Sequence, residues 1–484
     1  MTVPVQSQPA PPADQRGAPE PTSSEPTQPG HRPGWWPVIR PLVLRLHFYA
    51  GVLVAPFILV ASVTGLLYTI APQVEQIAYH ELTHATPAGE AVPLAEQVAA
   101  ARATHPDGAV TRVDVPDAAD RSTRVVFTDE TVPADYDMSV FVNPYSGQVQ
   151  GQVRSYGQWL GFRAWLDELH RNLHLGAFGR HYSELAASWL WVVALGGLML
   201  WLGRWRRDRR VRRLVLPDPE TTGRSRAMSW HAVIGVWLLL GVLALSVSGL
   251  TWSRFAGANI GEVRTALSWT EPTPATSLHG GAAAERAHHG SSVAATGDPD
   301  AVFSEGAGID GVLDTARDAG LGDPLYLVPP ADPGSAWTAA ENKRDWPTRY
   351  DAISVDPATG EQLDRVDFTD WPLMAKLTDW VIGAHMGILF GVLNQLALAA
   401  LALGLIAATL LGYRMWWLRR PRGASALRLG RPAPRGAWRR LPWPAMVAVV
   451  TIAAVVGWFV PMLGVTLIGF LVVDAAIGAV RSRT

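Results

Sequence analysis

The chain has 484 residues and a formal net charge of −1, with 48% hydrophobic and 17% charged side chains, a balance that points to several membrane spans and away from a single soluble domain. It contains no cysteine, which excludes disulfides, thiolate-held iron–sulfur clusters, a CxxC redox pair and c-type haem attachment, leaving nitrogen, oxygen and methionine sulfur as metal donors. The near-zero net charge hides an asymmetry, because residues 72–168 and 254–379 together hold 34 acidic and 15 basic side chains and the remainder is strongly basic.

Residues 1–34 are rich in Pro, Gln, Ser and Glu without apolar periodicity, the composition of a disordered tail. Apolar runs of about 20 residues suffice to cross a hydrocarbon layer roughly 30 Å thick, and six are found, at 44–71, 182–202, 230–252, 380–418, 444–460 and 463–480. The fourth is long enough to predict tilt or a helix that projects beyond the bilayer. The last two predict a tight hairpin around Pro461. The fold expected is an all-α membrane bundle, a duplicated four-helix core plus a C-terminal helical hairpin, with a small α+β extracytoplasmic domain in each acidic loop. Its segments are the tail (1–34), first span (35–71), first outer domain (72–165), second span (166–205), basic loop (206–228), third span (229–252), second outer domain (253–375), fourth span (376–418), basic loop (419–442) and hairpin (443–484).

Arginines near the span ends set the expected orientation. Arg32, Arg40 and Arg45 precede the first span, nine arginines lie between Arg204 and Arg226, and Arg414 to Arg440 follow the fourth, so both termini are expected in the cytoplasm and both acidic loops outside. Within the first loop, a helix is expected over 94–104 and strands over 112–115 and 124–128, before FVNPYSGQV from Phe141. The second loop ends similarly, with ISVDPATGEQ from Ile353; in both, Pro presets a turn dihedral and Gly tolerates the exit between two strands. Residues 277–299 read as a flexible insertion, whose His279, His288 and His289 are solvated linker residues before they are metal ligands.

The chain is internally duplicated. RLHFYAGVLVAPFILVASVTGLLY from Arg45 and SWHAVIGVWLLLGVLALSVSGLTW from Ser229 align His47 with His231, Gly51 with Gly235 and Gly65 with Gly249. Pairing His170 with His385 aligns Gly197 with Gly412 and Trp201 with Trp416. His174 lies one turn beyond His170 and shares its face if that helix continues. The 18 residues from His47 to Gly65 span about 27 Å as helix, so the two histidine pairs are expected at opposite leaflets. Two facing histidines at each of two depths suit two bis-histidine b-type haems, and Gly51, Gly235 and Gly387 would leave room for a flat macrocycle. The residues alone leave open a second reading, in which small residues serve close helix packing and the histidines bind headgroups or one another.

Other candidates carry less. Arg163, Arg171, Arg180, Arg254 and Lys376 lie near the outer histidines, as propionate partners or as ordinary interface charges. Asp474, in an apolar span, is expected to be paired or protonated, in a proton or quinone path or in a helix-packing hydrogen bond. His80 and His84, with Glu75 and Glu81, form a candidate surface metal site. The apolar span centres argue against a metal permeation path, and no GxGxxG in a strand-to-helix setting supports a nicotinamide or flavin domain.

The two duplicated motifs, with ELHRNLHLGAFGR, AHMGILFGVLNQ and YRMWW, resemble the PepSY-associated transmembrane family over roughly residues 47–420, and the loop with FVNPYSGQV resembles a PepSY domain. The resemblance implies a multi-pass protein of the bacterial cytoplasmic membrane with outer PepSY-like domains, some of whose relatives are haem-containing reductases of ferric siderophores. By motif it implies haem ligands at His47, His170, His231 and His385, with His174 an additional candidate for the outer site. Catalytic residues are not implied. The expected function is a di-haem b electron-transfer protein, a membrane oxidoreductase taking electrons from quinol or a cytoplasmic donor and reducing a ferric siderophore or other ferric chelate outside. The competing expectation is a non-enzymatic membrane anchor whose outer domains regulate a peptidase or transporter; a nucleic-acid partner is expected in neither case.

Overall fold

The structure, a computed structural model, describes residues 35–208, 212–278, 301–419 and 436–481. The expected tail, the insertion histidines and most of the last basic loop lie outside the described residues. The first span is two helices, α1 (Trp35–Leu53) and α2 (Ala55–Tyr68), bent by 57° at Val54. Pro56 accounts for the bend: it has no amide hydrogen for the Val52 carbonyl, and its ring crowds that carbonyl. The Tyr413 hydroxyl donates to the same carbonyl at 3.1 Å.

Helices α3 (Ala71–Ala78), α4 (His80–Thr83) and α5 (Leu94–Thr104) lead to strands β1 (Val110–Asp114), β2 (Thr123–Phe127), β3 (Asp137–Val142), β4 (Val149–Tyr156) and β5 (Trp159–Leu160). The chain returns through α6 (Gly161–Asn172), α7 (Gly176–Asp208), α8 (Arg212–Val215) and α9 (Gly223–Thr251). A second excursion holds α10 (Phe255–Ala266), α11 (Ala301–Ser304), α12 (Gly308–Asp318) and strands β6 (Leu325–Val328), β7 (Trp337–Glu341), β8 (Ala352–Val355) and β9 (Gln362–Val366). Helices α13 (Leu373–His385), α14 (Gly391–Trp417), α15 (Trp443–Phe459) and α16 (Pro461–Arg481) complete it.

By length and composition, α7, α9, α14 and α16 can each cross a membrane, and the bent α1–α2 pair counts as a fifth when its two helices are taken as one span. The 17-residue α15 is apolar but shorter, about 26 Å of helix, so five of the six expected spans meet the length requirement. The expected hairpin between α15 and α16 is present, turning at Val460 and Pro461. Its helices touch where Gly457 faces Gly464; a Cβ on Gly457 would lie 3.0 Å from the Gly464 Cα.

The apolar run 182–202 lies within the continuous α7, but the longer segments 166–205 and 376–418, each expected as one span, are interrupted. Leu173 and His174 take positive φ values of 56° and 55° between α6 and α7, and Gly387 (73°) and Gly391 (55°) do so between α13 and α14. Both breaks fall just beyond an aligned histidine, so α6 and α13 are equivalent short helices in the two halves.

The two acidic loops, each expected to form its own small domain, contribute instead to one nine-stranded antiparallel sheet in the order β5-β4-β3-β2-β1-β6-β7-β8-β9. The halves join where β1 pairs with β6, Val113 opposite Leu327 and Asp114 opposite Tyr326. A single core runs across the join: Val98 and Ala101 of α5 and Ile309 and Val312 of α12 are buried with Val125, Phe127, Leu327 and Ile353. Asp310 of α12 accepts the Leu94 and Ala95 amides at 2.6 and 3.0 Å, capping α5 of the other half. The two turns read from sequence are equivalent: Asn143 and Asp356 each accept amides inside their own turn, and Gly147 and Gly360 leave it with positive φ.

Candidate cofactor-binding site

Four helical segments converge on two histidine pairs at two levels of the bundle. His47 of α1 faces His231 of α9 with ring centroids 6.1 Å apart and planes at 72°. His170 of α6 faces His385 of α13 at 6.5 Å and 55°. The second pair is sheet-side, because α6 leaves β5 directly; the first is distal. On the unbroken helix α9, His231 lies 17 residues before Ser248, the partner of His385, about 26 Å at helical rise.

Each ring is held through Nδ1. His47 and His231 bond the main-chain carbonyls of Val193 and Ala408, both at 2.9 Å. His170 meets the Thr64 hydroxyl at 2.9 Å and His385 the Ser248 hydroxyl at 2.6 Å. A carbonyl only accepts, so the distal rings carry their proton on Nδ1. Among the described residues no hydrogen bond reaches Nε2 of any of the four.

The duplicated glycines acquire separate reasons. Gly197 and Gly412 stand one turn beyond Val193 and Ala408, so no side chain covers the carbonyl that each distal histidine uses. A Cβ on Gly197 would sit 3.2 Å from His47 Cε1, and one on Gly412 3.9 Å from His231 Cε1. Gly51 and Gly235, one turn after the distal histidines, have nothing within 4 Å of an added Cβ. Gly387 does not share the clearance role expected for it: at φ 73° it ends α13, and an added Cβ would meet Gln395 at 3.2 Å.

These residues fit a planar metallocofactor. A metal bonded to two imidazole Nε2 atoms at about 2 Å each sets the ring centroids roughly 6.3 Å apart, between the two observed separations. Ligating histidines generally give their other N–H to a carbonyl or similar acceptor, as the Nδ1 contacts here do, and the clearance beside Gly51 and Gly235 adjoins the distal pair. A loose surface metal site is a poorer description: among the described residues no group of three or more His, Asp or Glu side chains is placed to hold an ion. His80 and His84 merely stack at 4.0 Å.

His174 is not brought to the sheet-side pair. The helix stops at Asn172, and the His174 ring turns to Glu168 at 3.2 Å and stacks with Trp165 at 4.9 Å. The candidate propionate partners all have protein contacts: Arg163 lies 3.7 Å over the Trp159 ring and donates to the Tyr68 hydroxyl at 3.0 Å, while Arg171 donates to Tyr156 and Arg180 to the Trp252 carbonyl. Lys376 donates to the Thr369 carbonyl, and Arg254 lies over Phe255. Asp474 of α16 forms an ion pair with Arg45 of α1, the packing role among those expected for it.

Sequence reasoning missed Thr64 and Ser248. The signal was present, since a hydroxyl residue precedes the aligned Gly65 and Gly249 in both copies. It also missed Glu184, buried in α7, which accepts the Phe255 and Ala256 amides at 3.1 and 3.0 Å and caps α10.

The ordered histidine motifs on duplicated spans lie within residues 44–419, which match the family model described as the PepSY-associated TM region. The chain belongs to this family. No curated protein matches it. The matched residues contain all four paired histidines and end before α15, so the hairpin and its Asp474 lie outside the match. Within that region, a cleft of about 500 Å³ lies between the sheet and the helix ends, lined by Glu75, Asp114, Arg121, Arg124 and Arg163. Arg163 stands two turns before His170 on α6. Burial holds the Glu75 carboxyl above the ordinary carboxylate range, opposed by the Leu160 amide and Arg163.

Proposed function

We propose that this member of the PepSY-associated TM family is a transmembrane electron-transfer protein that holds two b-type haems and reduces a ferric siderophore or another ferric chelate on the sheet side. The observation that carries the reading is the pair of imidazole separations, 6.1 and 6.5 Å, with all four Nδ1 atoms tied back and Nε2 left as the donor nitrogen. His47 and His231 would hold one haem and His170 and His385 the other; His174 is not assigned. Haem supplies a reversible one-electron couple at each level.

The chain's own residues do the rest. Hydrogen bonds at Nδ1 orient the rings and keep the Nε2 lone pairs available. The cleft at Arg163 and Arg121 lies where an acceptor can approach the sheet-side pair. One electron converts the bound ferric ion to ferrous, which holds oxygen-rich ligands less tightly and is released. We place the sheet outside the cytoplasmic membrane and both termini inside, on the arginine distribution, with quinol or a cytoplasmic protein as donor. The paired halves of the sheet are the PepSY-like part of this reading.

The test is an oxidised-minus-reduced absorption spectrum of the purified protein with a haem-to-protein ratio. About two b-type haems per chain is expected. A colourless protein from haem-replete cells refutes the electron-transfer reading and favours a non-enzymatic anchor that regulates a peptidase or transporter.

A further inference from the structure

We propose that Thr64 and Ser248 are positioning residues that fix the proton of the sheet-side histidines on Nδ1 and set the reduction potential of that centre independently of the distal one. The potential part rests on the di-haem reading above; the proton part does not.

All four rings are held through Nδ1, but by two kinds of acceptor. At the distal pair the acceptors are main-chain carbonyls of Val193 and Ala408, which no side-chain substitution removes. At the sheet-side pair they are the side-chain hydroxyls of Thr64 and Ser248, with the Ala61 carbonyl as a further partner of His170 alone.

A hydroxyl has one proton to give. Thr64 directs its proton to carbonyls of its own helix, Val60 at 2.9 Å and Ala61 at 3.2 Å. Ser248 does the same with Ala244 at 2.8 Å and Leu245 at 3.2 Å. With the proton spent on the helix, each oxygen offers only lone pairs to the ring, so Nδ1 of His170 and His385 is the donor. The Nε2 lone pair is then left available on each ring.

Both hydroxyl residues are buried, Ser248 completely, so water does not replace them when they are removed. Gly65 permits the close seat of His170, since a Cβ there would lie 3.2 Å from its Cε1. Both hydroxyls stand 17 residues beyond the distal histidine of their own repeat, so the device is built twice.

Donation from Nδ1–H increases the electron density at Nε2 and favours the oxidised state of a metal held there. Removing the acceptor weakens that donation and raises the potential of the sheet-side centre, while the carbonyl-held pair is untouched.

The experiment is a spectroelectrochemical titration of the full-length protein and its Ser248→Ala, Thr64→Val and Thr64→Ser variants, with haem content measured in each. In Ser248→Ala we expect unchanged haem content and a rise of one midpoint potential only, up to tenfold in the equilibrium constant, which is about 59 mV for one electron; in Thr64→Val the same potential should rise by less, because the Ala61 carbonyl still partners His170. Thr64→Ser keeps the hydroxyl and should titrate like the parent. Nitrogen-15 spectra of histidine-labelled, cofactor-free protein supply a second readout: one Nδ1–H tautomer for His385 in the parent and a mixture in Ser248→Ala. Unmoved potentials with intact haem content, or both potentials moving together, overturn the claim about the potential. An unchanged tautomer in Ser248→Ala overturns the claim about the proton. A parent protein without haem defeats the di-haem reading, and the nitrogen spectra still decide the proton assignment.

Discussion

In the first half of the duplication, the segment bearing His47 and Thr64 is bent by 57° at Val54, whereas α9 carries His231 and Ser248 on one unbroken helix. Both nevertheless deliver a distal histidine to a carbonyl at 2.9 Å and a hydroxyl to a sheet-side histidine. What the duplication preserves is the placement of four imidazoles, with helix shape free to differ. The bent half has supports that the straight half lacks. Tyr413, from the second half, satisfies the carbonyl freed by Pro56, and α16 pairs its Asp474 with Arg45 and packs Phe470 against Tyr49. The position equivalent to Arg45 in the second copy is Ser229, whose hydroxyl oxygen accepts the Asp218 amide at 2.8 Å.

The two levels should separate most sharply when a histidine is removed. His47→Ala and His231→Ala should each remove the same b-type component in a redox titration, and His170→Ala and His385→Ala the other, with the haem ratio falling from about two to about one. Loss of both components from every single variant would mean that the two levels do not assemble separately.

Next in size is the clamp on the bent half. Asp474→Asn removes a partly buried partner of Arg45 and should cost about 1–3 kcal/mol, read as a lower unfolding midpoint in detergent. Adding Arg45→Gln should recover part of the loss; a neutral Asp474→Asn would show that the hairpin does not brace α1.

The paired glycines give a smaller and opposed effect. Gly412→Ala finds ordinary contact at 3.9 Å and should gain up to about 1 kcal/mol of helix propensity. Gly197→Ala must displace His47 from 3.2 Å, so the gain should vanish and the distal component alone should change its spectrum. Smallest is Tyr413→Phe, which leaves the Val52 carbonyl without its hydroxyl donor and should cost about 1 kcal/mol; Pro56→Ala, which supplies an amide to that carbonyl, should make the Tyr413→Phe loss smaller.

Short-range patterns encode the local elements and the internal repeat. Apolar runs located the spanning helices, the repeat aligned the four histidines into their observed pairs, and the 94–104 helix and the two Pro-Gly turns lie where local preference put them. The break after His385 is marked by Gly387 and Gly391, but the one after Asn172 was less legible, because Leu173 and His174 adopt positive φ without the glycine that would announce it; the Asn172 side chain, which accepts the His174 amide at 2.8 Å, supports the turn. That break is what separates His174 from His170, which one helical period had placed on the same face. Tertiary structure also decided that two loops make one sheet, since the β1–β6 pairing joins residues more than 200 apart in sequence, and strand edges carry no label for a distant partner. The acceptors of the histidine protons were likewise decided in three dimensions: a main-chain carbonyl has no side-chain signature, and Thr64 or Ser248 reads as an ordinary small polar residue until the helix opposite brings an imidazole to it.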